Sequence, residues 1–449
     1  MTRFSLRRLT AVLATIPVLM LAACAGDNAP EPGASTPATP GASATGAEQV
    51  TLSLALNTEP AEVPVLQELI SRFESANPSI NIELSNVPYD QLLQQLPLQL
   101  ESGEAPDIMR LTLFEYAPYL LDLSPYVSDV DYWMTNMGST QEILSKAGGG
   151  EPHPVGVFLP VTVTGAFVNT TLFEQAGVAM PADNAGWEEW AAATRKVADA
   201  TGTTAMAVDR SGHRLVGPAL SRGAKYLDDD GNFTFAGDQA FTDWVRLFVD
   251  LNQDGTMAKD VWVSSATFKD AREAFVNGEL VFYYSGNWQV ASIDQAVGDA
   301  FDWAAITGPG GEAGSYAMAG GGYFAGFQST KHPEQVAAFL DWLAQEDQLR
   351  YWAENTLGIP QHTGLVATPI DFQGVSEQGI AALEVFGTVT NQVPEAAQSL
   401  LASPIASTIY NSTRDRITQA IAGELTVEEA VQKIQTDVDQ AVANADSGR

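Results

Sequence analysis

The sequence predicts an α/β fold, and three observations predict it. The folded part opens as strand, helix, strand. VTLSLAL (50–56) and INIELS (80–85) alternate apolar and polar residues, and VLQELISRFESANP (65–78) between them carries its apolar residues at helical spacing. A largely apolar run, ELVFYYSG (279–286), reads as a strand buried on both faces. About 400 residues remain once the N-terminal leader is set aside, which is more than one hydrophobic core serves, so two lobes are expected. Nine Trp and a 45% hydrophobic fraction supply material for both cores.

The leader comes first. Arg3, Arg7 and Arg8 precede an apolar run from Leu9 to Leu21, followed by the small residues Ala22 and Ala23. A basic head, a short apolar stretch and a small-residue end describe a secretory signal over 1–23, too short for a membrane span. Arg7-Arg8 leaves both the general and the twin-arginine export routes open. Cys24 is the only cysteine in the chain, so it forms no internal disulfide. The next stretch, AGDNAPEPGASTPATPGASATGAEQ, holds no large apolar residue and cannot offset its ordering entropy, so 24–49 is expected to be a disordered tether. At about 5–6 Å times the square root of its length it would reach roughly 25–30 Å.

Along the body, Val65, Leu66, Leu69, Ile70 and Phe73 share one helical face, ended by Asn77-Pro78. The opening unit implies right-handed crossovers and a mainly parallel sheet. YDQLLQQLPLQLESGEAPDIMRL (89–111) reads as a helix, a stop at Gly103 and a strand near Asp107, the latter a structural residue bonding backbone at the strand end. PVTVTGAFV (160–168) is a strand, and 186–202 and 241–255 are amphipathic helices, with Trp187 and Trp190 in the core. One long helix is expected over 332–354, and the final helix begins with a Thr426-x-x-Glu429 capping box. Residues 444–449 are expected to be a disordered tail. Two glycine-rich passages, TGPGGEAGSYAMAGGG (307–322) and NTLGIPQHTG (355–364), interrupt folded material.

Composition narrows the function. Without the leader the chain carries 19 basic and 55 acidic residues, a balance of −36, which argues against nucleic acid or anionic lipid as a partner of the body. The four His stand in no zinc spacing, and there is no G-x-S-x-G elbow and no phosphate-binding loop, so neither a metal nor a cofactor is expected. DDDGNFTF (228–235) starts like a calcium loop but lacks the twelfth-position Glu, and is read as a tight turn. No catalytic constellation emerges, so an enzyme is not expected.

Leu21-Ala22-Ala23-Cys24 resembles the lipobox of bacterial lipoproteins, which implies that Cys24 is acylated and anchors the exported protein at the outer face of the cell membrane. The body resembles the solute-binding lipoproteins of ABC importers, in the sugar-binding branch that includes maltose-binding protein. The resemblance is carried, in order, by SRFESANPSINIEL, LQLESGEAPDI, FVNTTLFEQAGVAMPADNAGWEEW, AREAFVNGELVFYYSGNWQV, GGGYFAGFQSTKHPEQVAAFLDWL and LGIPQHTG, and covers about 50–443. Gly186 replaces the Thr that usually precedes Trp187, and His362 follows Pro360-Gln361 where relatives carry a basic or small residue.

The resemblance implies a two-lobe periplasmic-binding-protein-like clamp, with three interlobe crossings near Pro160–Val163, Gly314–Ala319 and Thr356–Gln361 and a ligand cleft between the lobes. One lobe would comprise 50–159 and 315–355, the other 160–314 and 356–443. The small-molecule solute would be a sugar or oligosaccharide, delivered by a monomer to a membrane permease. The same clamp holding a polyol, phosphate ester or polyamine is the alternative, and a tethered glycoside hydrolase a further one. A sugar needs aromatic platforms and short polar partners. Trp288 matches the family's stacking Trp, with Asn287 beside it. Asn57 and Glu59 follow the first strand, and Arg110, Phe114, Glu115 and Tyr116 follow the third. Arg210, His213 and Arg214 align with a ligand-contacting loop, and Tyr323 and Tyr410 complete the candidates.

Overall fold

The computed structural model describes residues 49–447, apart from 59–61, 229, 265–267, 359–360, 367, 369 and 391–392. The leader, Cys24, most of the tether, Glu59 and the last two residues lie outside the described residues. Eight strands form the sheet: β1 (Val50–Leu56), β2 (Ile80–Asn86), β3 (Ile108–Leu111), β4 (Gly156–Asn169), β5 (Thr204–Val208), β6 (Leu280–Gly286), β7 (Trp303–Ile306) and β8 (Ala319–Gly326). Their order is β2-β1-β3-β8-β4-β6-β5, with β7 also paired to β4. Pairing is parallel between β1 and β2, β1 and β3, and β5 and β6. It is antiparallel between β8 and both β3 and β4, and between β4 and both β6 and β7. The expected mainly parallel sheet is thus confined to the two ends. The middle is antiparallel, with β8 set between β3 and β4 and β4 continuing on to β6 and β7.

Local elements follow the sequence pattern closely. The helix Val63–Ala76 buries Val65, Leu66, Leu69, Ile70 and Phe73, the face the periodicity picks out. Every residue of β6 is buried, and Trp187 and Trp190 are fully enclosed. The helix Tyr89–Ser102 stops at Gly103, left-handed at φ 71°. The box at Thr426 is closed both ways: the Thr426 N–H donates to Glu429 Oε2 at 2.9 Å and the Glu429 N–H to Thr426 Oγ1 at 3.1 Å. Asp228 accepts from the Asp230 N–H at 3.0 Å and the Asn232 N–H at 2.9 Å, the bonds of a turn. Asp107 accepts from the Ser53 N–H at 2.9 Å and from the Thr330 hydroxyl at 2.7 Å, tying β3 to its neighbours.

The expected single helix over 332–354 is instead two, Pro333–Leu343 and Glu346–Thr356. Gln345 between them is extended (φ −69°, ψ 143°), and Glu346 and Asp347 form an acidic first turn that favours a new N-terminus.

Buried side chains fall into two groups. One packs the helices Val63–Ala76, Pro333–Leu343 and Glu346–Thr356 against β1, β2 and the faces of Val157, Leu159 and Phe324. The other begins on the opposite side of the same sheet, with Leu111, Phe114 and Tyr323, and continues through Phe167, Trp187, Trp244 and Phe282. The passage expected at Pro160–Val163 falls inside β4, where the pairing with β8 shifts register between Phe158 and Val161. The passage at Gly314–Ala319 leads into β8, whose Ala319 pairs with Val163. At the third, the helix Glu346–Thr356 ends as expected, but Leu365 is buried in the first group and the short helix Thr363–Val366 packs against the helix Val130–Ala147. His362 Nε2 stands 2.9 Å from the Tyr132 hydroxyl. Leu365 thus has its apolar neighbours in the first group, beyond the passage expected near Thr356–Gln361.

Candidate functional site

β5 and β6 run parallel with Val208 opposite Tyr284, so Asp209-Arg210 and Asn287-Trp288 leave the sheet at the same carboxyl edge, the edge where α/β sheets hold ligands. Asp209 anchors it. Its carboxylate is fully buried and accepts from the Tyr283 hydroxyl at 2.9 Å and the Ser285 hydroxyl at 2.6 Å. The Arg214 Nε stands 3.5 Å away. Burial pushes the Asp209 pKa up, opposed by Arg214 and the two hydroxyls.

Arg214 joins the rest. Its guanidinium lies 4.2 Å over the Trp288 ring, and its Nη1 stands 3.0 Å from His213 Nδ1. Arginine only donates, so Nδ1 accepts and the His213 proton sits on Nε2, which donates to the Ala319 carbonyl at 3.0 Å. Burial and the adjacent Arg214 charge lower the His213 pKa to about 3. The imidazole meets the Tyr410 ring edge-on at 5.4 Å. Tyr410 comes from the helix Ala406–Ala422. Trp288, His213, Arg214 and Tyr410, dispersed over some two hundred residues of chain, thus form one cluster. Trp288 stays partly exposed, and its ring lies against Gly286, where a Cβ would collide with the indole and with the Val163 carbonyl.

Asn287 faces the other way. Its Oδ1 accepts from the Val163 N–H at 3.0 Å and its Nδ2 donates to the Val161 carbonyl at 3.2 Å, so both ends of the amide hold β4.

The candidates around β1, β3 and β8 are largely occupied. Arg110 donates from Nη1 to the Asn57 carbonyl at 3.1 Å, Thr58 Oγ1 at 2.8 Å and Glu62 Oε2 at 3.1 Å, and from Nε to the Leu159 carbonyl at 3.2 Å. The Asn57 amide donates to the Val87 carbonyl at 3.0 Å. Tyr323, expected as a ligand contact, is fully buried, stacks on Phe158 at 5.1 Å and donates to the Leu113 carbonyl at 2.9 Å. Its hydroxyl points into the core because β8 is paired on both sides. Phe114 meets Phe158 and Tyr323 edge-on, and Tyr116 is buried.

Glu115 reaches across. Its Oε2 accepts from the Ser407 N–H at 3.1 Å, in the first turn of the helix that carries Tyr410. Burial pushes its pKa above the ordinary 4.5, opposed by the bonds from Ser407. A raised folded pKa gives stability that is complete below pH 4.5 and is lost as pH rises through the raised value. Glu115→Gln is therefore expected to gain in urea midpoint relative to the parent between pH 4.5 and 7, and an unchanged difference across that range would contradict the assignment.

Sequence reasoning missed Asp209, Ser285 and Glu62. The available signal was an acid immediately after an apolar strand, in TAMAVD. Two hollows of the surface lie elsewhere: one of about 720 Å³ between β1, β2 and the helix Tyr89–Ser102, and one of about 390 Å³ between β7 and the helix Glu377–Thr390. Neither borders Trp288, which carries Arg214 over one face of its ring.

The family described as bacterial extracellular solute-binding protein matches residues 57–349. Among curated relatives, the multiple sugar-binding protein of Streptococcus mutans is 24% identical over 297 residues, 62% of this chain and 67% of that protein. A putative binding protein of Brucella abortus is 24% identical over 314 residues, 66% of this chain and 72% of its own. A stretch of 123 residues is 32% identical to an uncharacterized lipoprotein of Streptomyces antibioticus, 26% of this chain and 24% of that one. Among solved structures, the GacH receptor of Streptomyces glaucescens, studied with acarbose, superposes at TM-score 0.74 with 17% identity, covering 87% of this chain and 97% of its own. A Listeria monocytogenes ABC substrate-binding protein in complex with cycloalternan gives 0.75 and 16%, covering 88% and 99%. Maltose-bound MalE3 of T. maritima gives 0.72 and 19%, covering 87% and 99%. These likenesses establish the two-lobed periplasmic-binding fold.

Proposed function

We propose, since this chain belongs to the bacterial extracellular solute-binding protein family, that it captures a sugar or oligosaccharide by closing two lobes and hands it to an ABC permease. The observation that carries the reading is the partly exposed Trp288 ring at the carboxyl edge of β6, presented beside Arg214, His213 and Tyr410. A sugar ring has apolar C–H faces that settle on an indole and hydroxyls that bond cationic donors. The printed names of the relatives support it: one is a multiple sugar-binding protein, and the solved neighbours hold acarbose, cycloalternan or maltose.

The lobes would comprise 50–159 with 315–366, and 160–314 with 367–443. Solute touching both favours the closed state by the contacts it makes only there. The protein works without altering its solute. It is exported, acts as a monomer and is held by lipid at Cys24, with 25–49 as the leash. The likeness to a Streptomyces lipoprotein supports the anchor.

A thermal-shift screen of residues 48–449 against mono- and oligosaccharides, polyols, phosphate esters and polyamines tests the reading. Ligand at 100 times Kd adds about 2.7 kcal/mol to stability. At least one saccharide is expected to raise the melting temperature, and Trp288→Ala is expected to abolish that rise while moving the ligand-free melting temperature by only a few degrees. A shift produced only by a polyamine or phosphate ester would refute the sugar reading.

A further inference from the structure

The cations at the site are not equivalent. Arg110 is bonded to Glu62 and three further oxygens. Arg214 is committed to Asp209, His213 and the Trp288 ring. Arg210 differs from both. It directly follows Asp209 at the end of β5, is partly buried, and its Nε is shielded from solvent without a hydrogen-bond partner. Among the described residues it makes no ion pair, and the neighbouring Asp209 carboxylate is already held by Arg214, Tyr283 and Ser285. This is unusual in a chain with 55 acidic against 22 basic residues. Arg72, Arg195, Arg222, Arg246, Arg350 and Arg416 all sit on carboxylates. A guanidinium left without a carboxylate partner among the described residues, its Nε out of water, places one unpaired positive charge at the carboxyl edge of the sheet.

We infer that the solute is an acidic saccharide, a uronate whose carboxylate is received by Arg210 while its ring lies at Trp288. The inference rests on the reading of this edge as a sugar site and names the sugar's class. The planar fork of arginine matches a carboxylate with two parallel N–H···O bonds. Charge count separates the anions. With Arg110 and Arg214 neutralised by Glu62 and Asp209, one unpaired charge suits a monoanionic uronate better than a dianionic phosphate ester, which needs convergent cations.

Isothermal titration calorimetry of residues 48–449 with D-galacturonate, D-galactose, D-glucuronate, D-glucose, D-glucose 6-sulfate and D-glucose 6-phosphate tests it. The uronates are expected to bind more tightly than their neutral counterparts, with affinity falling as salt is raised. Arg210→Gln is expected to weaken uronate binding roughly 10- to 100-fold, the range of a charged hydrogen-bonded pair, with Arg210→Lys intermediate. Urea midpoints of both variants close to the parent would show that the loss is not unfolding. Equal or tighter binding of the neutral sugars, or no effect of Arg210→Gln, overturns the acidic class and leaves the sugar reading standing. Tighter binding of the sulfate or phosphate ester than of glucuronate overturns the carboxylate assignment. Binding by none of the saccharides overturns both readings.

Discussion

Asp209→Ala is expected to lower the unfolding free energy by roughly 3–5 kcal/mol, the cost of removing one partner of a buried charge pair. The fully buried carboxylate is the acceptor for two hydroxyls, Tyr283 at 2.9 Å and Ser285 at 2.6 Å, and the counter-ion of Arg214. Alanine leaves both hydroxyls and the guanidinium without that acceptor, and each unsatisfied buried group adds about 1–3 kcal/mol. Asp209→Asn keeps one carbonyl oxygen and is expected to cost less. Urea midpoints of the three proteins give the order. Saccharide affinity should fall as well, because Asp209 fixes the arginine that lies on Trp288. A loss below 1 kcal/mol in the alanine variant would show that the cluster does not depend on the carboxylate.

The second large effect is acid sensitivity at His213. Its folded pKa is about 3 against 6.5 for the free side chain, lowered first by burial and then by Arg214. A depressed folded pKa gives stability that is complete above pH 6.5 and is lost as pH falls toward 3, here roughly 4–5 kcal/mol over the whole span. His213→Gln retains a donor for the Ala319 carbonyl and does not titrate. The parent is expected to lose stability relative to this variant steadily between pH 6.5 and 4, and parallel urea-midpoint curves over that interval would contradict the assigned environment. The added proton goes to Nδ1, which faces Arg214 Nη1, so the same titration is expected to displace the guanidinium from Trp288 and weaken solute binding in acid.

Much of the fold was legible in the sequence because burial itself writes the periodicity. The face of Val65, Leu66, Leu69, Ile70 and Phe73 and the enclosed β6 were both visible without coordinates. The antiparallel middle of the sheet was not, since residue pattern fixes which face a strand buries and leaves its neighbour open. The break at Gln345 was hidden by an unbroken helical pattern on either side. At the site, Trp288, His213, Arg214 and Tyr410 were each legible as candidates, but their assembly depends on side chains drawn from β6, the loop after β5 and a C-terminal helix. Arg110 stands near the end of β3, where cleft residues are expected, and Tyr323 follows three glycines inside β8. Sequence position alone does not reveal that Glu62 and the Leu113 carbonyl already hold them.

β4 is a single strand that runs from beside β8 to beside β6 and β7, and its one irregularity is the register shift between Phe158 and Val161. Pro160 lies within that interval and has no N–H to give, so the ladder lacks a rung there. A ribbon stiff along its length with one missing rung behaves as a leaf spring with a single soft point. Closure of the proposed clamp is therefore expected to concentrate its bending at Leu159–Pro160.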